Sequence, residues 1–133
     1  MKRPDPGKVP GVKYILVSKD AEILEQAAKA FYPDDEVLLT GDWQEAMSQI
    51  EGTDMMFVDL LATLRQDHKI AGYEEFAEAK LGNPVAKAVK LVMIWPPADY
   101  ELDFMTGYPD FIFQHIQRPV TFQKLRRSTT FIE

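Results

Sequence analysis

Two carboxylates, a guanidinium and an indole each stand at or just beyond the end of a short apolar run. Asp20 comes just after Tyr14-Ile15-Leu16-Val17, and Asp59 closes Met55-Met56-Phe57-Val58. Trp95 closes Leu91-Val92-Met93-Ile94, and Arg118 follows Phe111-Ile112-Phe113 by a few residues. Continuous runs of this length fit strands buried on both faces of a parallel sheet. In an open sheet of that kind ligands meet the carboxyl ends of the strands, so Asp20, Asp59, Trp95 and Arg118 should converge on one pocket. Two carboxylates suit a hard divalent cation or a cationic side chain. Lys19, beside Asp20, adds a second cation to Arg118. With both pointing inward, two carboxylates face two cations and no charge is left for a metal ion. An ammonium ~4 Å from a carboxylate interacts by roughly 4 kcal/mol at an effective dielectric of 20, before desolvation.

Helical patterns between the runs would hold these residues in place. Asp20 reads as an N-cap, with Ile23, Leu24, Ala27, Ala28 and Phe31 on one helical face behind it. Val37-Leu38-Leu39 is a short second strand. Asp42-Trp43-Gln44-Glu45 resembles a capping box, with Trp43, Ala46, Met47 and Ile50 following at helical spacing and Gly52 closing the helix. Tyr73, Phe76, Ala77 and Leu81 mark a third helix, ended by Gly82-Asn83-Pro84. The fourth run stops at Pro96-Pro97. A short helix is expected between Asp99 and Met105, then a fifth strand from Phe111 to about Arg118-Pro119, and a last helix begins over Thr121–Arg127. Alternating strand and helix signals with short links predict an α/β fold, a parallel sheet with helices on both faces.

The 133 residues suffice for one domain; 46% are hydrophobic and 27% charged, close to the globular average. Residues 1–11, with Pro4, Pro6, Gly7, Pro10 and Gly11, read as a flexible leader, and residues 12–133 as the domain. With no cysteine, disulfides, thiolate metal sites and cysteine nucleophiles are out. Fifteen basic against 21 acidic residues give a net charge of −6, a poor match for nucleic acid. No apolar run approaches the ~18 residues of a spanning helix, so a cytoplasmic protein without membrane contact is expected. Glycine-rich nucleotide loops, nucleophile elbows and His-Glu-x-x-His are absent, so an enzyme is not expected. His68 and His115 have no second ligand at metal spacing. Asp34-Asp35-Glu36 reads as a solvated turn, and Lys124, Arg126 and Arg127 as a basic helix end.

Over roughly Lys13 to Leu125 the chain resembles the receiver domain of two-component response regulators. The resemblance rests on Ile15-Leu16-Val17-Ser18-Lys19-Asp20, on Asp54-Met55-Met56-Phe57-Val58-Asp59-Leu60, on Trp95 after the fourth strand, and on Arg118-Pro119 with Val120 and Leu125 in register. It implies a flavodoxin-like (βα)5 three-layer sandwich with strand order 2-1-3-4-5. It further implies that Asp59 is the phosphoacceptor equivalent. Lys19 and Asp20 would stand for the family's Mg²⁺-binding acidic pair, with lysine at the first position, and Trp95 and Arg118 for its switch Thr/Ser and Lys. Pro119 would follow a cis bond, and Arg118 would pair with Asp59. Thr63 stands where the family usually has proline.

These departures imply a degenerate, or pseudo-receiver, variant that acts through protein contacts without Mg²⁺. The alternative is an active receiver that binds Mg²⁺ through Asp20 and Asp59 and is phosphorylated at Asp59 by a histidine kinase. Each of these residues also has a plainer reading. Asp20 serves as a cap and Asp59 as a turn residue; Lys19 extends into solvent, leaving two carboxylates to hold a metal weakly; Trp95 either plugs the pocket or forms an aromatic edge of the core. Partners implied are a histidine kinase or effector domain, and a homodimer is possible. Tyr100, Leu102, Phe104, Met105 and Tyr108 crowd a segment too short to bury them on one stripe. They form either a partner face or a cover for the sheet edge.

Overall fold

The computed structural model describes residues 12–31, 33, 35–64, 69–96 and 112–130. The leader, His68, and Tyr100, Leu102, Phe104, Met105 and Tyr108 lie outside these residues, as does the helix expected between Asp99 and Met105. The elements are β1 (Lys13–Val17), α1 (Ala21–Ala30), β2 (Glu36–Thr40), α2 (Trp43–Ser48), β3 (Met55–Asp59), α3 (Leu60–Thr63), α4 (Lys69–Gly82), α5 (Pro84–Lys87), β4 (Lys90–Ile94), β5 (Gln114–Ile116) and α6 (Phe122–Thr129). All strand pairs are parallel, in the order β2-β1-β3-β4-β5. This is the flavodoxin-like α/β architecture, with Asp59 at the end of the central strand.

The apolar runs are buried on both sides because alternate residues serve opposite faces. Ile15, Val17, Met56, Val58, Leu91 and Met93 pack on Ala46 of α2, Leu60 and Ala62 of α3, Tyr73 and Phe76 of α4 and Ala86 of α5. Tyr14, Leu16, Met55, Phe57, Val92 and Ile94 pack on Ile23, Ala27 and Ala30 of α1 and Leu125 of α6. On that second face Tyr14, Phe31 and Phe57 form an aromatic trio, with ring centroids 4.7 to 6.4 Å apart. Arg126 of α6 donates to the carbonyls of Ala30 and Lys29 at 3.1 and 3.0 Å, so this basic residue caps the end of α1.

Several boundaries differ from those read in the sequence. Helix α2 ends at Ser48 and is capped by Gln49, so Gly52 does not close it. Gly52 instead takes φ +82° in the turn that follows, a left-handed conformation that glycine adopts without a Cβ penalty. The expected capping box is relayed: Asp42 accepts from Gln44 N–H, but Glu45 accepts from Thr40 Oγ1, which in turn accepts from Asp42 N–H. Leu81 is exposed, because the chain leaves α4 one residue later and re-enters helix at α5, where Asn83 is the N-cap and Pro84 the first residue. Strand β5 begins at Gln114, although Phe113 N–H already donates to Leu91 O at 2.8 Å.

Candidate functional site

Asp20 and Asp59 each cap a helix at the carboxyl edge of the sheet. Asp20 Oδ1 accepts from Glu22 N–H at 2.9 Å at the start of α1. Asp59 Oδ1 accepts from Leu61 N–H at 3.1 Å at the start of α3. The guanidinium of Arg118 bridges the two capping carboxylates, through the capping oxygen of Asp59 and the second oxygen of Asp20. Its Nη2 donates to Asp59 Oδ1 at 2.6 Å and its Nη1 to Asp20 Oδ2 at 3.1 Å. The Asp59 side chain is 3% exposed, that of Arg118 17% and that of Asp20 39%. The Asp59 arm is thus a buried, charge-assisted bond and the Asp20 arm a partly solvated one. Arg118 does not grip Asp59 bidentately; it spreads its fork over two carboxylates, and its Nε is buried without an acceptor among the described residues. The Arg118–Pro119 peptide is cis.

Ser18 completes the site, and sequence reasoning did not single it out. Its buried hydroxyl donates to Asp59 Oδ2 at 2.9 Å and accepts the Asp20 N–H at 3.0 Å. The signal was in the register: Val17 pairs with Val58, so the next residues on the two strands, Ser18 and Asp59, stand level. Lys19 accordingly turns away. It is exposed, its Cγ lies 3.0 Å from where a Cβ on Gly41 would sit, and it forms no ion pair with Asp20 or Asp59. The two-cation balance is therefore corrected: two carboxylates face Arg118 alone, and the cluster keeps one net negative charge.

Trp95 follows β4 and donates its N–H to Ile116 O at 2.9 Å. Its half-buried indole packs against the α2–α4 face of the core and stacks on His115, with centroids 5.0 Å apart and planes inclined by 18°. An open cleft of about 490 Å³ is lined by Lys19, Gly41, Trp43, Thr63, Leu64 and Glu75 among others. Among the described residues no three His, Asp or Glu side chains are grouped to hold a metal, and no helix is long and apolar enough to cross a membrane.

No protein-family model matches the chain, and no curated protein does. Solved structures match it over nearly all of its length. It is similar to the bacteriophytochrome response regulator AtBRR at 17% identity and a TM-score of 0.67, covering 94% of this chain and 96% of that one. It is similar to a CheY-like response regulator receiver domain protein from Methanospirillum hungatei JF-1 at 14% identity and 0.69, covering 90% and 91%. A third similar structure is the receiver domain of the sensor histidine kinase PA1611 from Pseudomonas aeruginosa PAO1, with a magnesium ion coordinated in its active-site cleft, at 12% and 0.64, covering 90% and 94%. At these identities the shared property is the fold: five parallel strands in the order 2-1-3-4-5 with helices on both faces, the architecture of CheY-like receiver domains.

Proposed function

We propose that residues 12–133 form a receiver-like signal-transduction module of the two-component type, degenerate at its acidic site. In this reading the module is cytoplasmic and non-enzymatic, and works by protein–protein contact without Mg²⁺-dependent phosphorylation. The observation that carries the reading is the Arg118 guanidinium bonded to Asp20 and Asp59 together. Mg²⁺ takes near-octahedral oxygen ligands, usually including one or two carboxylates. Here both carboxylates already face a permanent cation, and the third oxygen, Ser18 Oγ, directs its proton at Asp59. Ser18 Oγ, Leu61 N–H and Arg118 Nη2 together occupy both oxygens of Asp59, which is 2% exposed as a residue, so the phosphoacceptor equivalent is screened from a phosphodonor. The donor set as arranged does not fit the metal.

The active-receiver alternative has one observation in its favour: Lys19 faces solvent, which leaves the cluster one negative charge with which to attract a cation weakly. Incubation with acetyl phosphate and Mg²⁺, followed by intact-mass analysis, separates the two readings. Unmodified protein is expected. A stable phosphoryl adduct that disappears in Asp59→Asn would establish the active receiver.

The partner surface proposed for the module is the segment carrying Tyr100, Leu102, Phe104, Met105 and Tyr108, with a histidine kinase, an effector domain or a second copy as partner. Tyr100→Glu and Phe104→Glu should abolish concentration-dependent association in sedimentation while the fold survives. Loss of the fold in both would place these residues in the core instead.

A further inference from the structure

We infer that Ser18 is the residue that decides which cation the acidic site accepts, an inference that rests on the reading above. Ser18 sits where the ends of β1 and β3 come level, fully buried, with its hydroxyl 2.9 Å from Asp59 Oδ2 and 3.0 Å from the Asp20 amide. Both contacts have a fixed sense. The amide can only donate, so the serine oxygen accepts there, and its single proton goes to the carboxylate. Ser18 therefore supplies a donor where Asp59 looks across to β1, and adds no charge. Asp20 and Asp59 against Arg118 leave a single net negative charge, which a divalent ion would over-compensate. A guanidinium held by two carboxylates is sufficient.

Ser18→Asp changes that balance at the point nearest Asp59. The new carboxylate would lie within hydrogen-bonding reach of the atoms Ser18 now touches, and three carboxylates round one guanidinium carry two net negative charges. Like charges at this separation resist joint ionisation unless a cation joins them. Three carboxylates also supply the hard oxygen donors that Mg²⁺ requires. Ser18 acts through Asp59, so it is a positioning residue: its hydroxyl orients Asp59 toward Arg118 and withholds the third carboxylate.

The test uses Mg²⁺ alone, titrated by calorimetry into the full chain, with the thermal midpoint followed over the same concentrations. Ser18→Asp should bind Mg²⁺ at least about tenfold more tightly than the wild type, and its midpoint should rise with Mg²⁺. Ser18→Thr keeps the hydroxyl and should match the wild type. Ser18→Ala frees Asp59 without adding charge and should also gain no Mg²⁺ binding, which separates charge from simple release of the carboxylate. Should Ser18→Asp fold poorly without metal, recovery of its folded signal on adding Mg²⁺ supports the inference. Absence of any Mg²⁺ response in both Ser18→Asp and Ser18→Asp/Arg118→Lys overturns it, as does an equal gain in Ser18→Ala. Saturation of the wild type at low-millimolar Mg²⁺ would instead overturn the reading of the site as metal-free, whatever Ser18→Asp does.

Discussion

Replacing Arg118 by methionine removes both arms of the clasp while keeping most of the unbranched stem. The arm to Asp59 is 2.6 Å long and reaches a carboxylate only 3% exposed, so it falls among charge-assisted bonds, at ~1.5–3 kcal/mol. The arm to Asp20 reaches a side chain 39% exposed and is screened by solvent to ~0.2–1 kcal/mol. Stranding a buried carboxylate outright costs about 3–5 kcal/mol, but Asp59 would keep the Ser18 hydroxyl and the Leu61 N–H. The expected loss is therefore ~2–4 kcal/mol, most of it lodged in the Asp59 pair. Urea unfolding measures it, with an unchanged denaturant slope as the check that the same surface is exposed. Two further measurements locate the energy. Arg127→Met, at an exposed position on the following helix α6, should stay within ~0.5 kcal/mol of the wild type. A cycle with Asp59→Asn should return a coupling of about 1.5–3 kcal/mol. If Arg118→Met costs no more than Arg127→Met, or the coupling is near zero, the clasp does not hold the strand ends together.

A second prediction concerns Lys80, buried with its ammonium donating to Ala86 O and Val89 O at 2.8 Å each. Burial lowers its pKa from 10.5 to about 8, so the folded chain gives up this proton before the unfolded chain does. Between pH 8 and 10.5 the unfolded state binds more protons, and stability should rise with pH, by at most ~1.4 kcal/mol per unit from this group. Below pH 8 the desolvation penalty is present in full. Denaturant midpoints at pH 8, 9 and 10 should climb in the wild type and lose that rise in Lys80→Met; parallel profiles would sink the assignment. A third prediction is that Gly52→Ala costs ~1–2 kcal/mol in the same unfolding assay through its φ of +82° alone, since nothing lies within 4 Å of the added Cβ. A neutral result would mean the turn relaxes.

The fold was legible because the three longest apolar runs are each too short for a helix and bounded by turn residues, and a strand buried on both faces needs no alternation to be recognised. Tyr14–Val17, Met55–Val58 and Leu91–Ile94 all became buried strand. The four-residue helices α3 and α5 left no trace, because one turn is shorter than the period that reveals a helix. Leu81 keeps the helical spacing from Ala77 and yet is exposed, because spacing does not say where the last turn leaves the sheet.

The site was half legible for a reason that lies in the topology. Asp20 and Asp59 announce themselves as caps, and each does cap a helix, but a cap uses one carboxylate oxygen and says nothing of the other. What the second oxygen of Asp20 meets depends on Arg118, 98 residues away, and Arg118 reaches Asp59 from the end of β5 past the whole of β4. What the second oxygen of Asp59 meets depends on a one-residue register between β1 and β3. Lys19 and Ser18 are neighbours in the chain, and the pleat sends them to opposite sides; a shift of one residue would exchange them and turn a neutral donor into a buried ammonium. Charge counting along the sequence therefore had the right partners for Asp59 only up to that register. The sign of the cluster, and with it the choice between a side-chain cation and a metal ion, is decided by the pairing of Val17 with Val58.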